Sequence, residues 1–241
     1  MADVKNSSLA TDLVSYWELE EASGTRVDSH GSNDLTDNNT VGQATGKIGD
    51  AADFEASQSE RLIASSPFTT ATTDFSVSMW FKPESIGAYQ SLMQNGRQSN
   101  FWNILIHPNG RFQFFKDNIA EYPSTFTLAA GTWYHLVIVK TGDGANNMAF
   151  FVNNAAAGTA SVGTISTPAT AAYLGAYTTQ GTSFVFHADG IIDEVGIWSK
   201  ALTSTERSDL YNSGAGIPYD AGGGGGGAAA QAARRGAVMM M

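Results

Sequence analysis

Phe75, Val77, Met79 and Phe81 alternate with Ser76, Ser78, Trp80 and Lys82, and Pro83 ends the run. A period of two puts every second side chain on one face of an extended chain, which is the pattern of a half-buried β-strand rather than of a helix. Residues 131–140, GTWYHLVIVK, are apolar on both faces, with Leu136 and Ile138 on one side and Val137 and Val139 on the other. Such a strand is covered twice and belongs in the middle of a sheet. Further strands are predicted over 13–19, 61–64, 101–106, 111–116, 148–152, 172–174 and 190–198, separated by turn-formers such as Pro108-Asn109-Gly110 and Gly142-Asp143-Gly144. About ten short strands joined by tight turns predict an all-β, two-sheet antiparallel jelly-roll sandwich. One short C-terminal helix completes it: Thr203 and Glu206 form a capping box, and Asn212-Ser213-Gly214 closes the segment. It is expected to cover one end of the sandwich through Leu202, Leu210 and Tyr211.

With 241 residues, 42% of them hydrophobic, the chain can bury one substantial core. The expected organisation is an N-terminal arm over 1–12, one domain over 13–219 and a tail over 220–241. The tail reads DAGGGGGGAAAQAARRGAVMMM; its six glycines from Gly222 to Gly227 carry maximal backbone entropy and nothing to pack with. It is expected either to dock among neighbouring subunits or to be disordered, and Gly222, Gly227, Arg234 and Arg235 are its candidate assembly residues. A count of 13 Lys and Arg against 23 Asp and Glu gives a net charge of −10, which argues against nucleic acid as a partner. Cysteine is absent, which removes disulfides, thiolate metal sites and cysteine-based catalysis. No run approaches the roughly 18 apolar residues of a membrane span, so no membrane insertion is expected. The first thirteen residues also lack the apolar region of a secretory signal, so a protein made in the cytoplasm is expected.

Five segments, in order, resemble the laminin-G-like, concanavalin-type jelly-roll family. Residues 13–36, LVSYWELEEASGTRVDSHGSNDLT, are similar to its opening strand and Asp-x-x-Gly turn. GKIGDAADFE over 46–55 resembles the Gly-Lys-hydrophobic-Gly-x-Ala segment, FSVSMWFKP over 75–83 the strand ending in Trp-x-x-Pro, and GTWYHLVIVK the Trp-x-His strand. Residues 189–214, DGIIDEVGIWSKALTSTERSDLYNSG, look like the closing strand and helix. The resemblance implies a structural calcium held by Asp28 and Asp193, with carbonyl oxygens around Gly31 and Asn33 completing an oxygen cage. The competing reading of the same residues is that Asp28 caps its own turn and Asp193 accepts backbone N–H bonds. Two positions depart from the family's pattern: His30 stands where a small residue is usual, and Phe151-Val152-Asn153-Asn154 replaces Tyr-Val-Asp-Gly, which keeps a tight turn but loses an Asp.

Catalysis finds no machinery. Glucanases of this fold are linked by resemblance to a Glu-x-Asp-x-x-Glu run that presents two carboxylates on one strand face, and this chain has none. Glu18 and Glu20 come nearest and read as a solvated acidic edge. His30, His107, His135 and His187 have no metal-triad spacing, and neither a nucleophile elbow nor a phosphate loop is present. A binding reading rests on Tyr89, Gln90, Asn95, Arg97, Gln98, Asn100 and Trp102, a polar and aromatic group suited to stacking on a sugar ring while amides bond its hydroxyls. The expectation is a non-enzymatic structural or adhesion module on a surface. By fold analogy that surface is a phage virion, where the module is a decoration or fibre protein made in the cytoplasm. Its partners would be capsid, tail or fibre proteins, copies of itself, and cell-surface glycans. The alternative is a carbohydrate-binding module of a cellular surface or exported protein, and a glycoside hydrolase is a remote third.

Overall fold

A computed structural model describes residues 2–69, 73–97, 100–116, 120–168, 170–178 and 182–220. Its strands are β1 (Leu13–Trp17), β2 (Thr36–Asn38), β3 (Gly42–Thr45), β4 (Asp50–Phe54), β5 (Arg61–Ala64), β6 (Phe75–Pro83), β7 (Gln90–Arg97) and β8 (Asn100–Ile106). They continue with β9 (Arg111–Lys116), β10 (Ala120–Thr127), β11 (Tyr134–Lys140), β12 (Met148–Val152), β13 (Ala155–Ala160), β14 (Ala172–Leu174) and β15 (Gly190–Trp198). One α-helix follows, α1 (Ser204–Tyr211). The first sheet runs β13-β12-β11-β6-β15-β4-β3 with β1 added to β15; the second runs β10-β9-β8-β7-β14-β5-β2. The paired strands are antiparallel, and the predicted two-sheet sandwich is the fold.

Between the sheets lies one core, built from residues such as Trp17, Phe54, Phe81, Trp102, Phe114 and Phe150. Each fully buried side chain of this size contributes about 1.5–3 kcal/mol relative to exposure. The alternation in β6 sends Phe75, Val77, Met79 and Phe81 into that core. Strand β11 lies between β6 and β12, covered on both faces as its sequence requires: Leu136 and Ile138 enter the main core, while Val137 and Val139 enter a second apolar cluster.

The second cluster forms on the outer face of the first sheet. Val4 and Leu9 of the arm, Leu202 and Leu210 around α1, and Ile217 and Tyr219 beyond it pack with Tyr16 and Trp198. The Trp198 indole donates to the Leu9 carbonyl at 2.7 Å. Two backbone bonds, Val4 N–H to Pro218 (3.1 Å) and Lys5 N–H to Tyr219 (2.9 Å), hold the arm beside the segment after the helix. The helix therefore lies on a sheet face rather than over an end of the sandwich. Its reciprocal capping box is present, and the chain leaves it through Asn212 in the left-handed region, two residues before Gly214.

Strand β15 also departs from simple alternation. Its pairing with β6 shifts between Asp193 and Gly196, and Glu194 has φ 48°. This bulge sends Ile192, Val195 and Ile197 into the core. Asp193 is not on their side; it pairs across β6 with Trp80, whose ring stacks on Tyr211 outside the sheet.

Candidate functional site

In the second sheet the core-facing residues of β8 and β9 are Trp102, Ile104, Ile106, Phe112 and Phe114. Phe101, Asn103 and Leu105 of β8, and Gln113 and Phe115 of β9, consequently point outward. Register sets them in cross-strand rows. Gln94, Asn103, Phe115 and Glu121 form one, and Ser91, Leu105, Gln113 and Pro123 the next. Segments 176–178 and 182–188 cross this face, joined by a bridge between Tyr177 and Val185. Ser91 donates its N–H to the Phe186 carbonyl at 2.7 Å, and Gln94 brackets Thr178 by accepting from its N–H (2.8 Å) and donating to its carbonyl (2.7 Å).

The result is a layer of rings. Tyr177 lies 5.7 Å from Phe101, 6.1 Å from Phe115 and 5.4 Å from Phe186, the last nearly parallel at 21°. Tyr89 lies 5.0 Å from both Phe186 and His107, and its hydroxyl donates to Glu121 at 3.3 Å. Phe186 is 38% exposed with φ 54°, a left-handed backbone that bulky residues adopt at a steric cost. An aromatic ring held in solvent by a strained backbone is a departure from what packing alone selects.

Of the polar and aromatic group read from the sequence, Tyr89 belongs to this layer. Trp102, Asn95 and Arg97 are elsewhere. Trp102 is fully buried and stacks on Phe75 at 5.3 Å inside the core. Asn95 is buried too, its side chain bonded to Phe68 N–H and the Thr69 carbonyl. Arg97, paired with Asn100 across the β7–β8 turn, is seven residues, or about 24 Å of extended chain, from Gln90 beside Tyr89. The side chain of Asn100, like residue 98, lies outside the described residues. The segment 90–97 is itself a strand, hidden in the sequence because its outward positions carry Ser91 and Gln94 where apolar residues would mark a covered face. Tyr177, Phe186 and Phe115 were missed. The alternating Phe184 and Phe186 were the signal that could have found one of them, Phe186. Gly222, Gly227, Arg234 and Arg235 lie outside the described residues.

Asp28 and Asp193 do not fit the cage that the resemblance implies. Asp28 Oδ1 accepts the N–H groups of Tyr16 (3.0 Å), His30 (3.1 Å) and Gly31 (2.8 Å), and Oδ2 that of Asn33 (3.0 Å). Gly31 and Asn33 thus turn their N–H groups toward this carboxylate, and the Asn33 carbonyl is taken by the Trp17 indole at 2.9 Å. Four amide dipoles do for Asp28 what a cation would. Asp193 Oδ2 accepts Lys47 and Ile48 N–H at 2.6 and 3.0 Å, while its buried Oδ1 has no partner. Burial, with the Glu20 charge adding to it, raises its carboxyl to about 8 against the pull of those N–H bonds; its neighbour Glu194, bonded by the Tyr16 hydroxyl at 2.6 Å, is raised by burial and by Asp193. Among the described residues, the one trio of acidic side chains within mutual reach of an ion is Asp53, Glu55 and Glu84.

Glu18 and Glu20 are not a strand-face pair, because β1 ends at Trp17 and Leu19 between them has φ 61°. Glu18 accepts the Ser29 hydroxyl at 2.6 Å and Glu20 the Asp50 N–H at 3.0 Å. Ser78 and His135 are 2.7 Å apart, yet both are buried, and no partner orients the His135 Nδ1. That contact is packing under Trp80 and Tyr211 rather than an activated nucleophile.

A family model described as the concanavalin A-like lectin/glucanases superfamily matches residues 55–206. No curated protein sequence matches the chain. Domain 4 of an extracellular arabinanase from Geobacillus stearothermophilus, solved with arabinotriose, is 21% identical with a TM-score of 0.62, covering 82% of this chain and 97% of that one. The binding domain of Paraclostridial Mosquitocidal Protein 1 is 16% identical with a TM-score of 0.67, covering 86% and 53%. The binding domain of Botulinum Neurotoxin DC, in complex with SialylT, is 14% identical with a TM-score of 0.62, covering 86% and 52%. The chain thus spans about half the length of the two toxin domains. At these identities the likeness is one of fold.

Proposed function

The chain belongs to the concanavalin A-like lectin/glucanase superfamily, and from that membership we propose that it is a non-enzymatic carbohydrate-binding module whose contact surface is the outer face of the second sheet. The observation that carries this reading is Phe186, exposed on a left-handed backbone and flanked by Tyr177 and Tyr89. Pyranose rings present an apolar C–H face that stacks on such rings, while amides and carboxylates around the edge take hydroxyls. Arabinotriose and SialylT, with which two of these relatives were solved, support the class without naming the ligand. Glu121 is the single carboxylate in the outward rows described above, and glycoside hydrolysis generally needs two facing groups.

A glycan array probed with wild type and Phe186→Ala tests this. Binding by the wild type and a loss of at least about tenfold in the variant are expected, since one stacked ring contributes on the order of 1 kcal/mol or more. Retained binding in the variant moves the site off this face. Release of reducing sugar by the wild type overturns the non-enzymatic reading.

Within that function, the finer reading is display on a phage virion as a decoration or fibre protein; display by a cellular or exported protein is the alternative. One observation favours display of either kind. Val4, Lys5, Pro218 and Tyr219 meet on the outer side of the first sheet, opposite the ring layer, so Asp220, from which residues 221–241 continue, sits at the back of the module. No helix among the described residues is long and apolar enough to cross a membrane.

A further inference from the structure

Asn103 and Gln113 point away from the core, yet they are 0% and 1% exposed, and Nδ2 of Asn103 and Nε2 of Gln113 have no hydrogen-bond partner. They occupy adjacent outward rows on paired strands, Asn103 opposite Phe115 and Gln113 opposite Leu105. The Asn103 oxygen accepts the Ser91 hydroxyl at 3.0 Å, which aims its NH₂ group away from β7. Tyr177 lies over the same region, touching Phe101 and Phe115 on either side of Asn103. A buried amide without an acceptor forfeits its hydration and gains nothing in return, whereas Leu or Val here would incur no such loss. Two such donors side by side under one cover are therefore unexplained by stability.

We propose that these amide nitrogens are a lower tier of the binding site, uncovered when Tyr177 and Phe186 are displaced, and that they donate to ring and hydroxyl oxygens of a neutral oligosaccharide. The cover is buried at Ala176, Tyr177 and Thr178 and loosest over 182–187, which is exposed or half-buried. Its bonds to the sheet include those of Ser91 N–H and the Gln94 amide, and Val185 and Phe186 are exposed. Segments with few buried apolar contacts open at a fraction of the global unfolding free energy. The choice of a neutral ligand follows from charge. Lys116 is occupied by the carbonyls of Val162 and Thr164, Glu121 stands beside Tyr89, and the chain carries −10 overall, so an acidic sugar meets net repulsion that the exposed Arg111, two residues from Gln113 on the same face, offsets only in part. The identity of the ligand rests on the carbohydrate reading above; displacement of the cover does not.

Because the chain has no cysteine, a single introduced thiol reports access directly. Asn103→Cys and Ile104→Cys sit on opposite faces of β8, and both are exposed to dithiobis-nitrobenzoate under native conditions. The cover predicts that Asn103→Cys reacts about a hundredfold faster, because position 104 waits for global unfolding; equal rates overturn the displacement. On a glycan array carrying neutral and sialylated glycans, the Asn103→Leu/Gln113→Leu double variant is expected to lose about tenfold of the neutral-glycan signal, with each single variant losing part of it. Unchanged signal, or wild-type preference for sialylated glycans, overturns the tier. A wild type that binds nothing on the array refutes the carbohydrate reading and the tier together, while the thiol rates still decide the cover.

Discussion

At the scale of single residues, buried polar groups mark where this sandwich departs from a simple apolar core. His135 is buried beneath Trp80 and Tyr211, and burial lowers its pKa to about 3. A histidine whose pKa falls on folding stabilises the fold above its unfolded value, near about 6.5, and that stability drains away as pH drops toward 3. The loss amounts to on the order of 4 kcal/mol by the lower end of the window. Asp193 and Glu194, whose carboxyls are raised, act with the opposite sign, favouring the fold at low pH and losing that contribution as pH rises. The two effects are separated by comparing wild type with His135→Gln in urea titrations from pH 7 to pH 4. The variant's stability should fall less steeply by close to one proton, and parallel curves would mean that His135 is protonated in the fold. The same scale explains a limit of the sequence. Asp28 and Asp193 announce themselves as acids in a β context, but whether a carboxylate faces N–H groups or a cation depends on which way each peptide of a turn is rotated.

Elements were legible in proportion to how cleanly they alternate. Strands β1, β5, β6, β8, β9, β11, β12, β14 and β15 stand out because at least one face is apolar, and in β11 both are. The edge and polar strands β2, β3, β10 and β13 carry few core residues, and β7 hides its outward face behind Ser91 and Gln94, so pairing rather than periodicity defines them. The bulge in β15 was invisible, since one extra residue moves Asp193 to the other face without altering composition. Helix α1 was found from its capping box, but its seat was not, because eight residues can cover any apolar patch of matching size. That seat makes a prediction. Leu210→Ala empties the contact with the first sheet and should cost about 2–5 kcal/mol, whereas Thr203→Ala removes a cap bond worth about 1 kcal/mol. Denaturant midpoints rank the two, and a larger effect at Thr203 would show the helix to be held by its cap rather than by its packing.

For the whole molecule, the two sheets have unlike outer faces. The first is sealed by the arm, α1 and residues 217–219; the second carries an aromatic layer over amides. Residues 1–219 already contain both clusters, so a chain ending at Tyr219 should fold with little loss of stability, giving up the exposed Lys5–Asp220 ion pair and the tail. Native mass spectrometry of this chain beside the full one is expected to show assembly in the full chain only, if residues 220–241 dock on neighbours. Monomers in both weaken the virion reading in favour of a freely tethered module.

The adjacency of Val4–Lys5 and Pro218–Tyr219 also sets how the module carries force. A pull between its two ends meets a ribbon of two bonds in parallel register, Val4 with Pro218 and Lys5 with Tyr219, so it loads both bonds in shear and leaves the strands of the sandwich out of the path. A pull between residue 220 and a ligand on the opposite face takes another route, through the thickness of both sheets. There the resistance comes from interdigitated side chains, which must separate together. The same domain would therefore yield sooner as a link in a chain of domains than as an anchor.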